Sequence, residues 1–301
     1  MTPVQAHAEY RGRLCFGEEM ARHTSWRAGG HAHRYFEPEA VDDLILFLRE
    51  LPASEPLLWL GLGSNLLVRD GGFPGTVIAL YELDDRIEAN ANAEVEVGSG
   101  AHCARLAKFC AEQGLEGANF FIGIPGSVGG ALAMNAGAYG GETWSHVLAV
   151  EVVDRSGQVS RHHRDAFETG YRHVKPPVPE VCYLRAWLRF EQGDPAELKR
   201  GLRDMLAARR DSQPVGQPSC GSVFRNPPKD HAARLIEACG LKGYAIGDAQ
   251  VSEKHANFII NRGAARADDI EDLILYVQSE VQRQHGVQLQ PEVRIVGERA
   301  Q

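Results

Sequence analysis

Residues 123–130 read Gly123-Ile124-Pro125-Gly126-Ser127-Val128-Gly129-Gly130. In so glycine-dense a run the backbone can approach a ligand without Cβ obstruction. Pro125 stiffens the turn and Ser127 adds a hydroxyl. Another cluster follows at once, Met134-Asn135-Ala136-Gly137-Ala138-Tyr139-Gly140-Gly141. Upstream, Gly61-Leu62-Gly63-Ser64-Asn65-Leu66 leaves the apolar run Leu57 to Leu60. A turn leaving a buried strand is a place where backbone N–H groups line up to cradle phosphate. As a Rossmann fingerprint the turn fails, because Leu66 stands where the third glycine belongs. Taken alone, an ordinary tight turn fits it slightly better than a phosphate cradle. Two such clusters in one chain are hard to explain as hinges; a dinucleotide with a diphosphate bridge explains both. No G-x-x-x-x-G-K-[ST] is present, which disfavours a nucleotide triphosphatase.

Outward from these loops, helix and strand patterns mix. Val41, Leu44, Ile45 and Leu48 recur at helical spacing, and Leu57 to Leu60 and Thr76 to Leu80 predict buried strands. Glu94 to Val97 alternates as a half-buried strand, with Ser99 expected to cap the following helix and Gly114 to end it. Val147 to Val153 and Val181 to Phe190 predict strands, and Pro195 to Arg210 a long helix. Gln213 to Pro218 is rich in turn formers and marks a domain boundary. Beyond it come a strand-like Ser222 to Phe224, a helix over Ala232 to Cys239, and a strand-like Ala256 to Asn261. A helix with Ile270, Leu273, Ile274, Val277 and Val281 on one face is expected to end at Gly286. A final strand puts Val287, Leu289, Val293 and Ile295 on one face, with Glu292 and Arg294 on the other.

The 301 residues are enough for two or three compact units. Hydrophobic content of 44% and charged content of 24% are those of a globular chain. A formal charge of −8 argues against general nucleic-acid binding. No apolar run of ~18 residues indicates a membrane span, and the polar stretch Met1 to Tyr10 does not read as a signal peptide. A cytoplasmic protein is the default expectation. Cys15, Cys103, Cys110, Cys182, Cys220 and Cys239 form no C-x-x-C pair and are expected to be free thiols. His31-x-His33 and His162-His163 lack partners at ligand spacing, so no metal is assigned.

Taken together, the motifs resemble the UDP-N-acetylenolpyruvoylglucosamine reductase family. They are Thr24-Ser25-Trp26-Arg27-x-Gly29-Gly30, the loops at 61–67 and 123–130, Asn135 to Gly140, Gly170-Tyr171-Arg172, Cys220 to Pro227, Val251 to Phe258 and Pro291-Glu292-Val293. Individually they are of middling specificity; together, and in order from about residue 22 to 296, they are strong. The resemblance implies an α+β chain, with an FAD-binding fold of the vanillyl-alcohol oxidase (PCMH) type and a separate α+β substrate-binding domain. On that pattern residues 1–75 and 76–213 are two FAD-binding subdomains, 214–286 the substrate-binding domain, and 287–301 a C-terminal strand carrying Glu292 and a tail. FAD would be held by Gly61, Gly63, Ser64, Asn65, Leu66, Gly123, Ile124, Pro125, Gly126, Ser127, Gly129 and Gly130. NADPH is the implied hydride donor, sharing one cavity in turn with the sugar nucleotide, which accounts for the missing NADP fingerprint. His23 replaces the family's usual Asn and Val174 its usual Ser. The short interval from Arg172 to Ser222 resembles the type II branch.

The implied substrate, UDP-N-acetylglucosamine enolpyruvate, carries an enol ether with a carboxylate. Hydride addition to its terminal alkene carbon leaves negative charge that spreads into the carboxylate. Fixed positive charge is needed there, and an acid for the adjacent carbon. By resemblance Arg172 supplies the first, as a guanidinium that forks onto a carboxylate and stays charged. Ser222 supplies the second, and Glu292 assists enolate binding or orients a water. Tyr171 is implied to hold Arg172, and Asn226 to contact the sugar nucleotide. Two other classes compete: an FAD oxidase or dehydrogenase of the same fold acting on an alcohol or hydroxy acid, and a non-catalytic nucleotide binder that kept the loops. The oxidase does not account for Ser222 and Glu292 within their motifs, and intact Arg172, Ser222 and Glu292 argue against the binder. Oligomeric state is not legible.

Overall fold

A computed structural model describes residues 10–300. Residues 1–9, most of the stretch read above for a leader, and Gln301 lie outside the described residues. The chain divides into two compact units, each assembled from separated segments. The first contains residues 10–15, Tyr35–Leu62 and Thr76–Ala208, and the second Phe16–Arg34, Gly63–Gly75 and residues 209–300.

In the first unit a five-stranded antiparallel sheet runs Val159–His163, Val147–Val153, Cys182–Arg189, Glu94–Gly98, Ile87–Ala89. Val150, Val152, Val95 and Val97 are buried on it, as β-branched residues on a pleated, covered face should be. The helices Cys103–Glu112 and Val128–Met134 bring Leu106, Cys110, Val128 and Leu132 into the same core, with Phe121, Trp144 and Leu188. Cys110 serves there as a small apolar residue, and burial pushes its thiol up to about 12. A satellite core joins Tyr10, Phe36, Leu44, Phe47 and Ile78, with Phe36 stacked on Phe47 at 4.1 Å. Beside it strand Leu57–Leu60 runs parallel to Phe73–Ala79, pairing Leu57 with Thr76. That pairing fixes where the first glycine turn departs.

The second unit is built on helix Ala267–His285, whose predicted apolar face is fully buried. It packs on a sheet of Ala245–Ile246, Ala249–Val251 and Ile259–Asn261 and on helix Ala232–Ala238. Gly286 ends it at φ +68°. Its first turn is capped from far away in sequence, because the Asp70 carboxylate accepts from the N–H groups of Ala267 (3.1 Å) and Asp268 (2.9 Å). Trp26 is fully buried here and donates from Nε1 to the Ile259 carbonyl (2.8 Å). Among the described residues no helix is long and apolar enough to cross a membrane.

Several expectations need correction. Ser99 does not cap the helix, which starts at Cys103 after His102. The Cys103 N–H goes to the Gly126 carbonyl at 3.0 Å, so the second glycine loop serves that helix end. Ser222 to Phe224 is no strand; only the bridge Phe224–Pro291 forms. Asn257 explains this: its Oδ1 accepts from Phe224 N–H (2.9 Å) and its Nδ2 donates to Phe224 O (2.8 Å), taking the groups a neighbouring strand would use. The strand expected from Ala256 begins at Ile259. The final strand is only Arg294–Val296, parallel to Leu66–Val68, so Glu292 precedes it rather than standing on its polar face.

Candidate active site

The second glycine loop is held by backbone bonds on both sides. Val128 N–H donates to Ala101 O and Gly129 N–H to Ser99 O, each at 2.8 Å. A Cβ at Gly129 would sit 2.9 Å from that of Ser99, so only glycine permits this approach. Ser127 precedes helix Val128–Met134, and its Oγ accepts from Gly130 N–H at 3.3 Å. Gly123 lies under the Tyr139 ring, where a Cβ would come within 2.8 Å. Tyr139 itself is anchored by its hydroxyl on Met205 O (2.9 Å).

The first glycine turn divides between the units after Leu62. Within the first unit, a Cβ on Gly61 would meet the Ser127 hydroxyl at 3.0 Å. The two loops therefore converge at Gly61 and Ser127. Within the second unit, Gly63 has φ +61° and its carbonyl accepts from Ser25 N–H at 3.1 Å. Asn65 donates from Nδ2 to Glu292 O (3.0 Å) and accepts from Arg294 N–H (3.1 Å). Leu66 is buried at the start of its strand.

Strands Glu168–Gly170 and His173–Lys175 pair with Gly170 opposite His173, which makes Tyr171 and Arg172 a two-residue hairpin turn. Arg172 takes the left-handed region at φ +54°. Its Nη2 donates to Gly137 O (2.8 Å) and its Nη1 to Asn135 O (3.3 Å). The guanidinium also lies over the half-exposed Tyr171 ring, 5.1 Å from the centroid. Val174, the departure from the family pattern, packs its side chain against the core of this unit.

In the second unit the segments carrying Ser222 and Glu292 meet. Glu292 N–H donates to Val223 O at 2.7 Å, next to the Phe224–Pro291 bridge. Gly221, at φ +79°, turns the chain into Ser222 with open space over its Cα. Asn226 accepts from Ala232 N–H at 3.1 Å and so supports the start of helix Ala232–Ala238. Asn257 clasps Phe224, and its own carbonyl accepts from Val223 N–H (2.9 Å). His255 accepts from Asn257 N–H at 3.3 Å. Burial pushes its imidazole below the ordinary range, which suits a neutral acceptor. His23 bonds Glu18 at 2.8 Å.

The first-unit loops fit a dinucleotide. The position of a missing Cβ at Gly61 faces the Ser127 hydroxyl, and behind Gly129 the buried Ser99 hydroxyl has no partner among the described residues. Sequence reasoning passed over Asn135 and Asn257. Both are buried asparagines that each clasp backbone more than thirty residues away, and their presence in shared motifs was the one available signal.

Residues 213–296 match the model for the UDP-N-acetylenolpyruvoylglucosamine reductase, C-terminal domain. Residues 32–162 match the FAD binding domain. A UDP-N-acetylenolpyruvoylglucosamine reductase from Alkalilimnicola ehrlichii is 56% identical over 95% of this chain and 96% of its own. One from Nitrosococcus oceani is 55% identical over 97% of this chain and 98% of its own. The solved UDP-N-acetylenolpyruvylglucosamine reductase from Thermus caldophilus superposes with a TM-score of 0.77 at 32% identity, covering 95% of this chain and 98% of that one. The α+β class and the FAD-binding fold agree with these matches.

Proposed function

The chain belongs to the UDP-N-acetylenolpyruvoylglucosamine reductase family, and we propose that it reduces UDP-N-acetylglucosamine enolpyruvate to UDP-N-acetylmuramate in the cytoplasm, with NADPH as donor and FAD as carrier. The observation that carries this is the junction of two segments about 70 residues apart in sequence, at Glu292 N–H and Val223 O. It sets the candidate proton donor and the candidate carboxylate on one framework.

FAD would be held by Gly61, Gly63, Ser64, Asn65 and Leu66 together with Gly123, Ile124, Pro125, Gly126, Ser127, Gly129 and Gly130. When bound, FAD would supply hydride transfer between NADPH and the terminal alkene carbon of the substrate. Arg172 binds the substrate carboxylate and stabilises the charge that spreads into it. Ser222 delivers a proton from its hydroxyl to the adjacent carbon, and Glu292 supports the enolate form or orients a water. Tyr171 steadies the guanidinium and Asn226 contacts the sugar nucleotide. For the domains we propose FAD-binding subdomains at 1–75 and 76–213, a substrate-binding domain at 214–286, and a C-terminal strand and tail at 287–301. The family match that begins at residue 213 supports the break between 213 and 214.

The test is anaerobic. NADPH should bleach the yellow protein, and colour should return on adding the enolpyruvyl sugar nucleotide. Recovery with oxygen alone, and none with that substrate, would favour the oxidase of the same fold.

A further inference from the structure

Asn135 follows helix Val128–Met134 in the left-handed conformation, at φ 43° and ψ 52°. Its side chain is fully buried and both polar atoms are engaged. Nδ2 donates to Gly170 O (3.0 Å), and Oδ1 accepts from Trp144 N–H (3.0 Å). Gly170 is the residue at the root of the turn that presents Tyr171 and Arg172. The Asn135 carbonyl in turn accepts from Arg172 Nη1, beside the Gly137 bond to Nη2. One residue thus holds the base of the hairpin with its side chain and the guanidinium with its backbone.

The geometry points to Asn135 as the positioning residue for Arg172, setting the guanidinium's direction before the substrate's carboxylate arrives. This rests on the substrate-binding role proposed above for Arg172. The residue type is narrowly defined. Only Asn, Asp and Gly tolerate the left-handed region readily. Glycine has no side chain to reach Gly170, and aspartate would set a carboxylate oxygen against the Gly170 carbonyl. Arginine loses much rotamer freedom when it is fixed, so a guanidinium fixed in advance binds its carboxylate more tightly and in one orientation.

Asn135→Asp deletes the donor to Gly170 and keeps the acceptor for Trp144, whose ring N–H is separately held by Leu132 O at 2.8 Å. Stopped-flow absorbance of the holoenzyme reads the two half-reactions. We expect reoxidation by the enolpyruvyl sugar nucleotide to slow roughly 10- to 100-fold, with a raised KM for that substrate. Flavin reduction by NADPH and FAD content should stay at wild-type values. In the double variant with Arg172→Lys, the second change should add little. Should Asn135→Asp lose FAD, Asn135→Gly carries the same test, since it keeps the backbone conformation and carbonyl. Wild-type reoxidation and KM, equal slowing of both halves, or full multiplication with Arg172→Lys would each overturn the inference. If Arg172→Lys alone reoxidises like wild type, it is the role of Arg172 that fails.

Discussion

At Arg172 a non-glycine residue occupies the left-handed region, at a cost of roughly 1–2 kcal/mol. The hairpin holds it there, and the two nitrogen ends of the guanidinium reach different carbonyls, Gly137 and Asn135. Arg172→Lys is therefore not a mild change, because lysine keeps the charge and loses the planar fork. Substrate turnover should fall with FAD content unchanged; wild-type turnover would remove Arg172 from the site. Ser222→Ala separates the half-reactions in another way. Reduction by NADPH needs no carbon acid, whereas reoxidation needs a proton on carbon, so only the second half should slow, by ~10²–10⁴-fold. Equal slowing of both halves, or lost FAD, would make Ser222 structural. At this scale the sequence was legible only through motif resemblance. Nothing in composition or periodicity separates Arg172 from the other arginines, and Ser222 has no local signature. Asn257 and Asn135 carried no signal beyond their motifs, since they hold backbone 33 and 35 residues away, respectively.

Among the elements, long amphipathic helices were readable because burial follows their period, as Ile270 to Val281 shows. The short segments around the site were not, because side chains and far-off backbone satisfy their hydrogen bonds. Ser222 to Phe224 is held by Asn257, and Ala267 is capped by Asp70. Arg69 follows the same pattern, with a bidentate bond to Glu271 (2.8 and 2.9 Å) and a third bond to Gly297 O (2.9 Å). It ties the stretch after the first glycine turn to the long helix and to the residue just after the last strand. The Arg69 hydrogen bonds hold the Glu271 carboxyl below its usual range, against burial, which pushes it up. A depressed folded value contributes stability that is present above the unfolded carboxyl's pKa and is lost as pH falls through the folded one. Arg69→Met should raise that folded value, so acid unfolding should begin at higher pH. With Glu271 buried but the Arg69 side chain about a third open to solvent, neutral stability should drop by about 1–2 kcal/mol, a little less if Arg299 at 3.4 Å compensates. Urea unfolding across the acid range checks this; an acid limb that superimposes on wild type would show that Arg69 does not anchor the helix.

Across the whole molecule, punctuation in the sequence shows that the chain turns at 213–218 but not which early segments pack with the later ones. Trp26 and Leu67 lie in the core built on residues 220–293, a long-range choice that no local pattern encodes. Cofactor attachment is also decided at this scale, by which reactive groups the fold leaves accessible. All six cysteines are free thiols, and Cys103, Cys110, Cys182 and Cys220 are buried. Burial pushes each of these four above the ordinary thiol range, and Cys239 as well. A protonated, buried thiol is a poor nucleophile toward a flavin ring. The converging loops, in contrast, offer backbone and hydroxyl groups suited to reversible binding. With those loops as the proposed holders, FAD is expected to be non-covalent. Acid precipitation of the yellow protein should release it to the supernatant, and adding FAD back to stripped protein at about 100 times its Kd should raise stability by about 2.7 kcal/mol. Flavin that stays with the pellet would mean a covalent link. That result would shift the balance to an oxidase of the same fold, because the reductase chemistry proposed here asks for no such bond.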